Sequence, residues 1–216
     1  YGNKYRKGYL GKDNSGTGIG LLFDFIIIHE SAHEWFGNSI TSRDIADMWI
    51  HEAFTTYAES VYIECQFGKE KAIEYINGQK KIVRNAQPVT GNYGVNNEGS
   101  SDMYYKGTLI LNTLRNSIDD DEKWWKIMKK FAETNLHKII ETPDVIAFFS
   151  TETGWNLKPF FEQYLKFTSI PALETKQNGT TFNYRWKNDV KDFELPISFF
   201  ANKQKVKITP SPEWQS

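Results

Sequence analysis

Hydrophobic positions in the first half of the chain recur at helical spacing. Dense apolar residues over 21–36, stopped by Gly37, predict a buried helix with a glycine C-cap. A second helix is predicted over residues 44–67, where Gly68 ends it, and a third, more polar helix over residues 69–85. Before and after these helices, residues 1–20 and 86–100 are rich in glycine and polar residues, which is typical of loops.

Helical spacing returns after the second loop, over residues 103–117, 122–135 and 157–167. Between the last two, Thr142 is a candidate N-cap, with Pro143 at the first helical position. We therefore expect a fold that is mainly α over most of its length.

The pattern changes after Pro171. Residues 181–186, 193–200 and 206–209 are alternating or β-branched and predict strands, separated by turns at 178–179 and 202–203. We expect a helical domain over residues 1–170 and the beginning of a β-sandwich-like domain over 171–216. Three strands are too few for a stable sandwich, and the chain starts with Tyr1 rather than Met, so it is expected to be truncated at both ends.

Composition excludes several classes of function. The 26 basic and 27 acidic residues give a net charge of −1, so no nucleic-acid-binding surface is expected. No apolar run approaches the roughly 20 residues of a membrane span. One cysteine, Cys65, rules out an internal disulfide and is expected to be buried, but it leaves the cellular compartment open.

The segment His29-Glu30-Ser31-Ala32-His33 has the form H-E-x-x-H inside the first predicted helix. Four residues are about one helical turn, so both imidazoles project from one face and can bind one metal ion. Glu30 lies about 100° away around the helix, which suits a general base that holds a water molecule. The motif can occur by chance on a surface helix, but the apolar residues on both sides favour a buried one with a divalent ion as the partner of its charges.

Catalytic zinc needs a third protein ligand and an open fourth position. Glu52, in the second predicted helix and separated from His33 by eighteen residues, is the candidate. His51 is the competing ligand, but it is expected to point about 100° away, towards solvent or a substrate pocket. Glu59, two helical turns after Glu52, either accepts a hydrogen bond from a ligand histidine or is a solvated carboxylate.

These residues resemble the gluzincin aminopeptidases, the aminopeptidase N family. That family has H-E-x-x-H-x18-E, with W-F-G-N after the second histidine and W-L-N-E-G-F around the glutamate. The chain has Trp35-Phe36-Gly37-Asn38 at the first place and Trp49-Ile50-His51-Glu52-Ala53-Phe54 at the second, so His and Ala replace the usual Asn and Gly. The sequence around these motifs is most similar to that of bacterial members, in particular those of Bacteroidetes and marine bacteria.

A further family motif, Y-x-K-G, is similar to Tyr104-Tyr105-Lys106-Gly107. The resemblance implies that Tyr104 stabilises the oxyanion of the tetrahedral intermediate, a contribution of about 10²-fold in rate. Without it, a tyrosine in an apolar helix is usually a core aromatic.

The resemblance covers about residues 1–170 and implies a thermolysin-like zinc peptidase domain. It implies one zinc ion held by His29, His33 and Glu52, with Glu30 as the base and peptides with a free N-terminus as substrates. The family's G-x-M-E-N-type segment, which binds the substrate amine, is absent from the chain and is expected upstream, so we expect the chain alone to be a poor aminopeptidase. Two alternatives are a thermolysin-like endopeptidase and a non-catalytic binding module that keeps the fold.

Overall fold

A computed structural model describes residues 3–201 and 203–216 of the chain. Within these residues the fold is helix-rich, with three small two-stranded sheets. The helices are α1 (Phe25–Ala32), α2 (Trp49–Phe67), α3 (Lys69–Gln79), α4 (Asp102–Ile118), α5 (Asp121–Thr134), α6 (Thr142–Thr153) and α7 (Lys158–Lys166). The strands are β1 (Ile40–Ser42), β2 (Lys138–Ile140), β3 (Ala172–Asn178), β4 (Thr181–Lys187), β5 (Ile197–Ala201) and β6 (Gln204–Ile208).

Helix α2 lies at the centre of the helical part, in contact with α1, α3 and α4. Its buried face continues into an aromatic core shared with α5, α6 and α7. Burial of such rings is the main source of stability for a fold of this kind. The fully buried aromatic residues of this core are Trp49, Phe54, Tyr57, Trp124, Phe131, Phe149, Phe160, Phe161 and Phe193.

Helix α1 is shorter and less buried than predicted. It begins at Phe25 because the Asp24 side chain accepts a hydrogen bond from the Ile27 amide, and it ends at Ala32. One face is buried, whereas Ile27 and Trp35, within the predicted span, are more than half exposed. Apolar density alone therefore overestimated both the length and the burial of this helix.

The other helices follow the prediction more closely. Helices α4, α5 and α7 begin and end within one residue of their predicted bounds, and Gly68 ends α2. A 3₁₀ turn capped by Asp44 precedes α2, which itself starts only at Trp49, and α3 ends at Gln79, six residues early. The N-cap of α6 is Glu141 rather than Thr142, because Glu141 forms a reciprocal capping box with Asp144.

Two short strands, β1 and β2, pair in parallel and were not predicted. With three residues each, they are too short to show an alternating pattern. Strand β1 leads from the end of α1 towards α2, so this pairing fixes the loop between the two helices that carry the HExxH motif and Glu52.

The C-terminal segment forms two antiparallel hairpins, β3–β4 and β5–β6. The first turns at Gly179, as predicted, where φ is +60°. In the second predicted turn, Asn202 lies outside the described residues and Lys203 has a φ of +66°. Strand β3 was missed because nearly all its residues are exposed. The predicted strand 193–200 starts only at Ile197, and the division into domains at residue 170 stays a prediction.

The prediction that Cys65 is buried was wrong, because this residue of α2 is exposed. Among the residues that the structure describes, no helix combines the length and the apolar character needed to cross a membrane.

Candidate metal centre and active-site cleft

Helices α1 and α2 bring three candidate metal ligands together. One donor atom from each of His29, His33 and Glu52 lies within 4.8 Å of the others. Glu52 Oε2 is 3.1 Å from His29 Nε2 and 3.5 Å from His33 Nε2. His29 is buried on the inner face of α1, and His33 follows as its C-cap, so the four-residue spacing places both rings over the first turn of α2.

The opposite nitrogen of each ring has its own partner. Nδ1 of His33 lies 2.9 Å from the carbonyl oxygen of Phe36, which can only accept, so this nitrogen carries the proton. Nδ1 of His29 lies 2.7 Å from Oε1 of Glu59. Both Nε2 atoms are thereby left to face Glu52, which is the arrangement in which metal-binding histidines are usually held.

Glu59 is fully buried and does not contact solvent. The Tyr75 hydroxyl donates to its second oxygen at 2.7 Å, so both oxygens are engaged. The sequence left open whether Glu59 supports a histidine or is solvated, and the contact with His29 favours the first. Tyr75 in α3 and the Phe36 carbonyl were missed, because no spacing rule connects them to the motif.

Burial and charge act against each other at this site. Burial lowers the pKa of His29, but hydrogen bonds and charge from Glu52 and Glu59 outweigh it and raise that pKa to about 9. The hydrogen bond to Glu52 also raises the pKa of His33. Burial raises the pKa of Glu52, yet contacts with the two histidines outweigh it and lower the value to about 2. The carboxylates therefore stabilise positive charge between the two imidazoles.

Two imidazole nitrogens and one carboxylate oxygen form a donor set typical of zinc with an open fourth position. Tetrahedral bonds of roughly 2.0–2.1 Å place neighbouring donor atoms about 3.3 Å apart. The observed separations of 3.1 and 3.5 Å from Glu52 to the histidines agree with that spacing. The residues present therefore fit a zinc ion.

A cleft of about 490 Å³ lies beside these donors. His29, Glu30 and Tyr104 line it together, and the Tyr104 ring centre is 6.0 Å from that of His29. Burial raises the pKa of the Tyr104 phenol, and Glu52 raises it further, so the phenol remains a proton donor at neutral pH. Glu30 is exposed rather than buried as predicted, but it faces the cleft.

The last two residues of Tyr104-Tyr105-Lys106-Gly107 have structural roles. Lys106 is buried and its ammonium donates to the Phe167 carbonyl at the end of α7, at 2.9 Å. At Gly107 an added Cβ would lie 2.5 Å from Cβ of Ala53, so only glycine permits this approach of α4 to α2. The motif thus holds Tyr104 at a fixed place relative to Glu52, the neighbour of Ala53.

His51 does not lie where the sequence placed it. It is half-buried, and its Nε2 accepts a hydrogen bond from the Ser42 amide of β1 at 2.8 Å. Burial lowers its pKa, which favours the neutral ring that such an acceptor requires. His51 therefore ties α2 to β1 and does not join the three donors.

Comparison with protein-family models gives a match to "Peptidase family M1 domain" over residues 18–164. The matched segment contains all the donors described above, together with Glu30 and Tyr104. It covers more than half of the chain.

Similar proteins include aminopeptidases and a protease-interacting factor. A glutamyl aminopeptidase from Bitis rhinoceros is 24% identical over 195 residues, which are 85% of this chain and 20% of that protein. The tricorn protease-interacting factor F2 of Thermoplasma volcanium is 21% identical over 220 residues, 93% of this chain and 28% of that protein. The matched region thus spans 20–28% of the length of these relatives.

Solved structures with a similar fold include an M1 zinc metallopeptidase mutant from Deinococcus radiodurans, bound to a Tyr-Ser-Ala substrate. The TM-score is 0.60 with 21% identity, over 70% of this chain and 35% of that one. A Legionella pneumophila aminopeptidase A in complex with aspartic acid has a TM-score of 0.62 with 17% identity, over 91% of this chain and 25% of that one. At these identities the likeness concerns the fold.

Proposed function

The chain belongs to peptidase family M1, and we propose that it carries the catalytic centre of a zinc-dependent aminopeptidase. The reaction is hydrolysis of the first peptide bond of substrates with a free N-terminus. The observation that carries the proposal is the convergence of three donor atoms, from His29, His33 and Glu52, at the edge of a cleft. The names of the aminopeptidase relatives support the same reaction.

His29, His33 and Glu52 would hold the ion, and Glu59 would orient His29 through its Nδ1. When bound, zinc supplies a Lewis acid that polarises the scissile carbonyl and lowers the pKa of a water molecule. The protein scaffold keeps both imidazoles in the required tautomer.

Glu30 and Tyr104 perform the proton transfer and charge stabilisation in this proposal. Glu30 is not among the three donors, yet it lines the same cleft, so it can accept the proton of the attacking water and deliver it to the leaving amine. The Tyr104 phenol donates a hydrogen bond to the oxygen that becomes negative in the transition state. Its raised pKa keeps that proton available.

The arrangement of α1 and α2 is expected to be that of the thermolysin-like zinc peptidases. The sequence around the motifs favours a bacterial, Bacteroidetes-like source. It does not indicate a cellular compartment.

Hydrolysis of an alanine anilide with a free amine by the intact enzyme, at matched zinc content, tests the function. We expect turnover that falls at least about 10³-fold in Glu30→Gln, since the general base is lost. Glu34→Gln is the matched control, because Glu34 is an exposed carboxylate near the same helix end that contacts Asn38 and does not line the cleft. It should retain the wild-type rate.

The same substrate with an acetylated amine separates the aminopeptidase from its rivals. An aminopeptidase leaves the blocked substrate intact. Equal cleavage of both substrates would indicate the endopeptidase, and no difference between wild type and Glu30→Gln would reject the assigned chemistry.

A further inference from the structure

The cleft beside the metal-binding residues contains an arginine that the proposed reaction does not use. Twelve residues line the cleft, and Arg84 is the single Lys or Arg side chain among them. It lies in the loop after α3, and Glu30 of α1 lines the same cleft. A permanent positive charge at this position faces whatever binds next to the catalytic residues.

Within residues 3–201 and 203–216, no carboxylate oxygen lies within ion-pair distance of the Arg84 guanidinium, whereas Arg43, Arg115 and Arg185 each have an acidic partner. The acidic residue nearest to Arg84 in the cleft wall, Asp102, is already engaged. Its two oxygens accept from the backbone amides of Arg84 and Asn85, at 2.9 and 2.7 Å. The guanidinium is therefore available to a ligand.

Those two amide contacts also fix the position of the arginine. Asp102 is buried and is the first residue of α4, two residues before Tyr104. The backbone of Arg84 and the phenol of Tyr104 are thus anchored to the same helical turn. A group bound by Arg84 would consequently lie in the cleft that Tyr104 also lines.

The surroundings determine which ligand would fit. Tyr9, Phe25, Ile26 and Ile82 supply an apolar wall, next to which a charge interaction is less screened than in open water. A guanidinium offers a planar pair of N–H donors that matches the two oxygens of a carboxylate. Peptides carry carboxylates on acidic side chains and at their C-terminus.

We propose that Arg84 is a specificity-determining residue of this cleft and binds a carboxylate of the peptide substrate. The inference rests on the proposed peptidase function and adds the chemical class of substrate that the cleft selects. The carboxylate comes either from an acidic side chain or from the free C-terminus of a short peptide.

Two matched substrate pairs identify the source of the carboxylate. The first is a glutamate anilide against a glutamine anilide, and the second is Ala-Ala-Ala with a free against an amidated C-terminus. Wild type is expected to favour the carboxylate member of at least one pair by about fivefold in kcat/KM. This ratio corresponds to the free energy that a partly exposed charge pair contributes. Only the first pair should respond if the ligand is a side chain, and only the second if it is the C-terminus.

Arg84→Gln should lower kcat/KM for the carboxylate member of the pair and so abolish that preference. Arg84→Lys should retain part of it, because the charge remains and the paired N–H geometry is lost. Lys81→Gln removes an exposed charge from the same loop region outside the cleft and should change nothing.

Direct binding separates failure of this inference from failure of the proposed function. Zinc-loaded Glu30→Gln, titrated calorimetrically with the same four compounds, should show the preference, and Glu30→Gln/Arg84→Gln should not. A preference for carboxylates in binding, without hydrolysis by wild type, would support the role of Arg84 and reject the peptidase. If wild type had equal kcat/KM for the two members of each pair, or if Arg84→Gln kept the wild-type preference, the inference would be overturned.

Discussion

At the scale of single residues, the candidate centre depends on a chain of buried contacts behind its ligands. Tyr75 donates to Glu59, and Glu59 holds Nδ1 of His29. Burial raises the pKa of Glu59, and the hydrogen bonds from His29 and Tyr75 counteract that shift. The tyrosine therefore helps Glu59 to remain a carboxylate, although it lies outside the cleft.

Tyr75→Phe should consequently lower the affinity for zinc by about tenfold, since partners behind a ligand histidine commonly contribute 10–100-fold. Tyr62→Phe is the control, because Tyr62 packs on the same Phe23 ring but is not bonded to Glu59. Competition with a fluorescent zinc chelator measures both affinities. Equal affinities in the two variants would show that Tyr75 only fills space.

At the scale of elements, the crossing of α2 and α4 sets the distance between Glu52 and Tyr104. The crossing is close because Gly107 has no side chain to separate α4 from Ala53. The family motif of the sequence located this glycine, but its physical reason became visible only with the packing of the two helices.

In Gly107→Ala the new Cβ would stand 2.5 Å from Ala53 Cβ, so the helices must separate. Overpacking of this kind costs about 1–3 kcal/mol, against a gain of about 1 kcal/mol from helix propensity. We expect kcat to fall by more than tenfold while zinc remains bound, because Tyr104 moves relative to the ligands. Ala53→Gly in the same chain should restore part of the rate; a second variant as inactive as the first would contradict this explanation.

A charge cluster connects helices α2, α3, α4 and α5. The Arg115 guanidinium binds Glu64 at 2.7 Å and Asp121 at 2.8 Å, and Lys69 also contacts Asp121. The hydrogen bond from Arg115, followed by that from Lys69, lowers the pKa of Asp121 to about 2, from an ordinary value of 3.8. The stabilising charge is fully present above pH 4 and is lost as the pH falls through 2.

Asp121→Asn should therefore reduce the free energy of unfolding at pH 7 by about 0.5–1 kcal/mol, a value kept small because Asp121 is partly exposed. The difference from wild type should narrow as the pH falls from 4 towards 2. Urea titrations at several pH values measure it, and a difference that stays constant across that range would show that Asp121 contributes through something other than its charge.

At the scale of the whole molecule, the C-terminal hairpins are joined to the helical core more closely than the sequence suggested. Phe193 and Leu195 fall within the predicted strand 193–200, yet both precede β5 and are buried in the core cluster of the helices. Phe193 packs against Tyr164 of α7 and Trp186 of β4. Phe200, by contrast, is 74% exposed.

Phe193→Ala should destabilise the protein by about 3–5 kcal/mol, because it leaves a cavity among buried aromatic rings. Phe200→Ala should change stability by less than about 0.5 kcal/mol. Chemical unfolding followed by tryptophan fluorescence compares the two. A small effect of Phe193→Ala would mean that residues after 170 unfold independently of the helices.

Contacts within one helix could be predicted from the sequence, whereas contacts between separate elements could not. His29 and His33 share a helix, so their common face follows from helical geometry, and the eighteen-residue spacing of the family places Glu52. Tyr75, the Phe36 carbonyl and the anchoring of Arg84 by Asp102 depend on how separate elements pack, which no local pattern encodes.

Metal content, measured by mass spectrometry after zinc saturation and gel filtration, tests the central claim most directly. Wild type and Glu30→Gln should each retain about one zinc per chain, because Glu30 is not a ligand. Glu52→Ala and His29→Ala should retain well under a tenth of that amount. Undiminished zinc in Glu52→Ala, or loss of zinc in Glu30→Gln, would contradict the assignment of His29, His33 and Glu52 as the metal site.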